Sequence, residues 1–436
     1  MTSNIATAYV TQPSPPRSAD ITFFAPGRDD FQFLAGDKTQ LVCVPYLRAL
    51  DLQWELSHNL VKAPLRTGSA AVRYDNSFSI PLPLQELAPG FYDVRVKIIL
   101  SATETLSALT TVGWRVDELA VHAQSPADFD AFWAAGIARL DTVKPVATCT
   151  LERTLRGSEI DAYNLSSASI PGNYHPAGVR TDVVEIYRVS FPSANGKTIH
   201  GWFTKPAGPG PFPALLVLPG AGNAARPAPV EHARHGYAAL DIQVHGNPVD
   251  AATYDRLVIA KPERPEDVIQ HGMYLHALQA GRVLRTLPGV DATRLAALGG
   301  SQGGCLSVVV AALDPGFKAV VASITYNAYL PWFDWSRQLN KTKKSGADTG
   351  FPAAESPASL PPDRYFDVLN FASRVRCPVL MNKALIDPVS PPTGIQAVYL
   401  NLAGPKEIIA LPNIGHDWSP AFDRHAWEWL DRILHP

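Results

Sequence analysis

Gly299-Gly300-Ser301-Gln302-Gly303 lies between a short apolar run, Arg294 to Leu298, and a helix-like stretch, Gly304 to Leu313. A serine flanked by glycines at a strand-to-helix turn is the pattern of a nucleophile elbow. The chain bends so sharply there that side chains beside the serine would collide with their neighbours. The turn lifts the Ser301 hydroxyl clear of a sheet and puts it at a helix N-terminus, where free backbone N–H groups can stabilise an oxyanion. The chemistry implied is attack by a serine hydroxyl on an acyl carbonyl. A Gly-rich turn could produce the same five residues by chance. The strand before, the helix after and suitable partners downstream favour the chemical reading.

Ser301 needs a base, and the base needs an acid to orient it. Of twelve histidines, His416 is singled out because Pro412-Asn413-Ile414-Gly415-His416-Asp417 follows a strand-like run, Glu407 to Leu411, and precedes the last helix, Phe422 to Leu434. The acid is expected on the loop after the preceding strand. Leu385-Ile386-Asp387-Pro388-Val389-Ser390-Pro391-Pro392 places Asp387 ahead of a proline-stiffened loop. Asp387 would accept a hydrogen bond from one ring nitrogen of His416, so that the other can take the Ser301 proton. Taken singly, His416 reads as a surface-loop histidine and Asp387 as a turn former. Together, in the order Ser, Asp, His and at strand ends, they read as a triad. An oxyanion hole needs two N–H donors. One is expected from Gln302, the other from Gly220 or Ala221 in Pro219-Gly220-Ala221-Gly222-Asn223. That segment equally reads as a plain tight turn.

The elements that must position these groups follow from hydrophobic pattern. Ala214 to Leu218, Ala238 to Ile242, Leu295 to Leu298, Ala319 to Ser323 and Val379 to Asn382 are continuous apolar runs suited to strands covered on both faces, with an amphipathic helix predicted over Pro265 to Leu287. Strands alternating with helices predict a mostly parallel sheet. Ser125-Pro126-Ala127-Asp128 is expected to open a helix, with Ser125 as N-cap and Phe129, Phe132, Trp133, Ile137 and Leu140 on its apolar face. Before it, from Ile21 to Val116, short alternating runs such as Gln40 to Val44 and Phe91 to Val96 are broken by turn residues about every ten positions. These predict an all-β, immunoglobulin-like sandwich. Its Trp54, Tyr74, Tyr92 and Trp114 could form a stacking face for glycan, although aromatics on alternating strands more often fill the core. Two domains are therefore expected, 1–116 and 117–436. Near 326–365 the pattern breaks down around Trp332, Trp335 and several prolines, in the position of a lid.

A chain of 436 residues, 46% apolar and 18% charged, has enough length and apolar content for two packed cores. A formal charge of -2 with no Lys/Arg block gives no footprint for nucleic acid or anionic membrane, so an uncharged or small organic substrate is expected. Cys43, Cys149, Cys305 and Cys377 are too far apart for a metal rhythm and read as buried free thiols. No cofactor or metal is expected. Met1 to Asp20 is polar and Pro-rich without a signal-peptide core, and no apolar run is long enough to span a membrane. The expected location is cytoplasmic, with export left open should a leader precede this chain.

From Ser125 onward the sequence resembles carbohydrate esterase family seven, the acetyl xylan esterases and cephalosporin C deacetylases. The resemblance rests on Asp128-Phe129-Asp130-Ala131-Phe132-Trp133, on Gly299 to Gly304, on Tyr365-Phe366-Asp367 with Asn370-Phe371-Ala372, on Asp387 with Pro391-Pro392, on Ala403 to Ile408, and on His416. It implies an α/β-hydrolase fold, hydrolysis of acetyl esters on small sugars without a metal, a triad at Ser301, Asp387 and His416, and assembly as a homo-oligomer. Three features depart from the family pattern. His245-Gly246-Asn247 replaces Arg-Gly-Gln, His416-Asp417 replaces His-Glu, and the oxyanion-loop tyrosine is replaced within Pro219 to Ala221. The N-terminal sandwich is additional, which makes this a divergent relative. Two other readings compete. A prolyl-oligopeptidase-like peptidase shares the Gly-Gly-Ser-x-Gly-Gly elbow, but 116 residues are too few for its propeller. An inactive hydrolase fold serving as a glycan-binding protein is disfavoured by the intact triad residues.

Overall fold

A computed structural model describes residues 21–166, 178–222, 225–251, 262–346 and 360–435. The N-terminal strands are β1 (Ile21–Phe24), β2 (Gln32–Phe33), β3 (Gln40–Pro45), β4 (Asp51–His58), β5 (Arg66–Ala71), β6 (Phe78–Pro81), β7 (Gly90–Ile99) and β8 (Thr105–Trp114). They form two sheets, ordered β1-β3-β6 and β2-β8-β7-β4-β5. Alternation sets the inward residues: Leu41 and Cys43 on β3, then Leu52, Trp54 and Leu56 on β4, all buried in one core. Trp54, Tyr92 and Trp114 fill that core, whereas Tyr74, on the turn between β5 and β6, is 99% exposed. Three of the four aromatics considered for a stacking face are therefore unavailable to a ligand. The first half of β7 is buried on both faces, because its outer side lies against the following part of the chain.

The second sheet has nine strands: β9 (Thr148–Arg156), β10 (Val183–Pro192), β11 (Thr198–Pro206), β12 (Phe212–Leu218), β13 (Ala238–Gln243), β14 (Val290–Gly300), β15 (Ala319–Ser323), β16 (Val379–Ala384) and β17 (Lys406–Leu411). Their order is β17-β16-β15-β14-β12-β13-β11-β10-β9. From β13 through β17 neighbours run parallel; β11, β10 and β9 extend the sheet antiparallel. The apolar runs are continuous because each face meets its own core. Ala214, Leu216 and Leu218 of β12 pack with the helices Ile269–Leu284 and Gln302–Leu313, whereas Leu215 and Val217 face the C-terminal helix Pro420–Leu434. None of the described helices is long and apolar enough to cross a membrane. All four cysteines are free; Cys43 and Cys305 are buried, Cys149 and Cys377 half-buried.

Three local expectations change. The helix expected to open at Ser125 begins at Phe129, because the Phe129 N–H first closes a turn onto the Pro126 carbonyl at 3.1 Å. Its N-cap residue is Asp128, whose carboxylate accepts from the Tyr365 hydroxyl instead of capping the helix. The helix expected over Pro265 to Leu287 occupies Ile269–Leu284, preceded by a single tight turn at Pro265–Asp267. Within 326–365 the chain forms a helix, Leu330–Thr342, whose Trp332 is buried; residues 347–359 lie outside the described residues. That helix also touches the N-terminal strands, with Asn340 Oδ1 accepting from Lys62 N at 2.8 Å and its Nδ2 donating to Leu60 O at 2.9 Å.

Candidate active site

Strands β14, β16 and β17 end on one edge of the sheet, and Ser301, Asp387 and His416 follow those three ends. Ser301 has φ 56° and ψ −117°, a conformation that L-residues avoid. It is held there by Ser301 N–H to Ser323 O at 2.9 Å, while its carbonyl accepts from Cys305 N and Tyr326 N, each at 3.1 Å. Three elbow glycines are required by close approach. A Cβ on Gly299 or Gly303 would lie 2.6 or 2.2 Å from the Leu218 carbonyl oxygen, and one on Gly304 would lie 2.8 Å from the Ser323 carbonyl oxygen. A Cβ on Gly300, directly before the serine, would make only an ordinary contact with Ser323 Cβ at 3.9 Å.

The His416 ring bridges the other two side chains. Its Nε2 is 3.0 Å from Ser301 Oγ and its Nδ1 is 2.8 Å from Asp387 Oδ2. Asp387 is 1% exposed, and its Oδ1 accepts from the N–H groups of Val389 and Ser390 at 2.8 Å each. Four accepting positions on an ionised carboxylate leave Nδ1 of His416 as the donor, so Nε2 presents its lone pair to the serine hydroxyl. The acid and histidine loops are strapped together by Leu385 N–H to Leu411 O at 3.1 Å and Ile386 N–H to Ile414 O at 3.2 Å. The three residues are thus brought together with a nucleophile, base and orienter in hydrogen-bond sequence, an arrangement able to carry acyl transfer.

Gln302 opens the helix, where its N–H has no carbonyl of that helix within reach. Its side chain is buried and donates through Nε2 to Gly220 O at 3.2 Å and Pro219 O at 3.5 Å. One side chain therefore ties both expected donor segments together. Gly220 is half-buried and Ala221 exposed. A Cβ on Gly220 would meet nothing nearer than 3.9 Å, so space does not demand glycine there; Asn223 lies outside the described residues. Of the departing segments, His245-Gly246-Asn247 forms the turn after β13 with Gly246 at φ 87°, and burial pushes His245 down to about 4. The Asp417 carboxylate accepts from Trp418 N at 2.8 Å.

Two supports were not foreseen. Asn382 on β16 accepts from Ile324 N at 2.7 Å and donates to Ser323 Oγ at 2.9 Å, bracing the residue whose carbonyl holds the Ser301 amide. An asparagine closing the apolar run Val379 to Met381 was the available signal. Asp367, in the Tyr365-Phe366-Asp367 segment, accepts from Tyr329 N at 2.9 Å, Leu330 N at 2.7 Å and Leu369 N at 2.9 Å. It thereby fixes the start of the helix Leu330–Thr342. Burial pushes its carboxyl up to about 6, although those three N–H groups favour the ion. Unfolded, it would titrate near 3.8. The folded state therefore holds this proton longer, and its contribution to stability is full below about 4 and is lost as pH rises through about 6. Replacing Asp367 by Asn should flatten that part of a melting-temperature-against-pH curve. It should also cost on the order of 1–3 kcal/mol, since an amide N–H₂ would face one of the three donors. An unchanged slope between pH 4 and 6 would refute the assignment.

Among the described residues no cluster of His, Cys, Asp and Glu could hold a metal ion. A family model described as acetyl xylan esterase (AXE1) matches residues 115–433. Acetyl esterase Axe7A of Xylanibacter ruminicola is 26% identical over 428 residues, covering 93% of this chain and 88% of that protein. Its alignment is long enough to take in most of the N-terminal strands, which precede the family match. Among solved structures, the acetyl xylan esterase from Paenibacillus sp. R4 superposes with a TM-score of 0.55 at 24% identity, over 73% of this chain and 99% of that one. Acetyl xylan esterase 1 from Thermoanaerobacterium sp. JW/SL YS485 gives 0.56 at 22%, over 73% and 98%. These two share the fold of the part of the chain that they cover.

Proposed function

The chain belongs to the acetyl xylan esterase family of carboxylic ester hydrolases, and from that premise we propose that Ser301, His416 and Asp387 remove acetyl groups from carbohydrate esters through an acyl-enzyme. His416 Nε2 takes the Ser301 proton as Oγ attacks the acetyl carbonyl. The oxyanion is met by the N–H of Gln302 and by that of Gly220 or Ala221. His416 then protonates the leaving sugar oxygen. In the second half it draws a proton from water as the water oxygen attacks the acyl-enzyme, and it passes that proton to Ser301 Oγ as the acyl–oxygen bond breaks and acetic acid leaves. The observation that carries this reading is the unbroken relay of 3.0 and 2.8 Å through His416 at the carboxyl ends of the parallel strands.

The N-terminal strands read best as an immunoglobulin-like sandwich. Support comes from two sheets over one core and from Tyr92 near the start of β7, whose hydroxyl donates to the Ala88 carbonyl at 2.5 Å in the manner of a tyrosine corner. Homo-oligomeric assembly is part of the same proposal, resting on the family alone.

A panel of p-nitrophenyl esters of increasing acyl length, run beside acetylated xylo-oligosaccharides, tests the substrate class. Acetyl esters should turn over fastest, and acetate should be released from the oligosaccharides. Turnover of aminoacyl anilides without turnover of acetyl esters would replace the esterase reading with a peptidase one.

A further inference from the structure

The N-terminal strands reach the two loops that carry Asp387 and His416. Leu385, two residues before the acid, is fully buried and packs into the core of the N-terminal sheets with Leu52, Phe91 and Val116. Asn413, three residues before the histidine, stands at φ 59°, and its side-chain oxygen accepts a 3.1 Å hydrogen bond from the hydroxyl of Thr110, a buried residue of β8. Further contacts flank the acid on both sides. Lys383 lies over the Phe91 ring at 5.3 Å and donates to Gln396, which in turn donates to Asp117 Oδ1 at 3.2 Å. Thr393 donates to Asn59 Oδ1 at 3.3 Å, and Asn59 is anchored to the buried Asp93 at 2.9 Å. Strands β7 and β8 and the residues that follow β4 and β8 are thus joined to chain positions before the acid, after it and before the histidine.

We propose that the N-terminal strands act as a positioning element for the catalytic pair, with Leu385 and the Thr110–Asn413 hydrogen bond holding the acid and histidine loops in register with each other. This rests on the triad reading above. A triad tolerates little displacement, since a shift of about 1 Å in a reacting group can cost on the order of 100-fold in rate. Asn413 occupies the left-handed region, where its backbone directs the chain into the histidine loop, so fixing its side chain fixes the direction in which His416 is presented. The substrate need not touch the N-terminal strands for them to govern turnover.

The test is a cycle of Thr110→Val, Thr110→Ser, Asn413→Gly and the Thr110→Val/Asn413→Gly double variant, assayed on p-nitrophenyl acetate with melting temperatures alongside. Valine keeps the shape of threonine and removes the donor. Glycine removes the acceptor and still accepts φ 59°. Thr110→Val should lower kcat about five- to twentyfold with KM within about twofold, Thr110→Ser should restore the parent kcat, and the double variant should be no worse than about twofold below the poorer single. Parent-like kcat in Thr110→Val overturns the proposal. So does a raised KM at unchanged kcat, which would mean the strands contact substrate, or full additivity in the double variant. Should Thr110→Val fail to fold, Asn413→Gly is judged by the same kcat and KM criteria. An inactive Ser301→Ala beside a parent-like Thr110→Val removes only this proposal, whereas an active Ser301→Ala removes the triad reading beneath it.

Discussion

Replacing Ser301 by alanine is expected to reduce kcat for p-nitrophenyl acetate by about 10⁵- to 10⁶-fold, with labelling by a fluorophosphonate probe lost at the same time. The size follows from the elbow. Ser301 Oγ is the hydroxyl within 3.0 Å of the His416 base, and without it the base has only water to activate. Residual hydrolysis would reflect the oxyanion donors and binding alone. The same position stores backbone strain. At φ 56° and ψ −117° both serine and alanine pay the Cβ penalty, and glycine does not. Ser301→Gly should therefore be as inactive as Ser301→Ala but more stable than it by about 1 kcal/mol, read from denaturant midpoints at equal m-value. An alanine variant retaining more than a tenth of parent turnover would remove Ser301 from the chemistry. A glycine variant less stable than the alanine one would show that the elbow is not strained in solution.

What the sequence disclosed about this site was whatever depends on local backbone demands. Glycines at 299, 303 and 304 announce a turn pressed against the ends of β12 and β15, and the packing against the Leu218 and Ser323 carbonyls supplies the reason. Continuous apolar runs announced β12, β13 and β16 because helices cover both faces there. One edge strand, β17, was announced by the run Glu407 to Leu411, but the antiparallel edge was not. Strand β9 is mostly exposed, and its Glu152 pairs with Arg188 of β10, so neither face offers a hydrophobic period to read. Long-range polar contacts were equally silent. Thr110 and Asn413 are 303 positions apart, and each taken alone is an ordinary strand threonine and an ordinary turn asparagine. The role of Asp367 was hidden for a similar reason: its segment looked distinctive, but its three backbone partners lie in part on another stretch of chain, at Tyr329 and Leu330.

Asp387→Asn is expected to lower kcat by about 10³- to 10⁴-fold while leaving KM for short acetyl esters within about threefold. The argument turns on which end of the new amide faces which neighbour. Asp387 Oδ1 accepts from the N–H groups of Val389 and Ser390 at 2.8 Å each, and those donors will hold the amide oxygen of asparagine in the same place. The amide N–H₂ must then replace Oδ2, opposite His416 Nδ1. Two donors cannot share that 2.8 Å contact, so the imidazole moves its proton to Nε2 and offers Nδ1 as acceptor. Nε2, now protonated, no longer accepts from the Ser301 hydroxyl. The fold should be almost unaffected, because the neutral amide keeps the two backbone bonds that shape the loop. A variant retaining more than a tenth of parent kcat would mean that Asp387 does not set the tautomer of His416. A large rise in KM at unchanged kcat would instead place Asp387 in substrate binding.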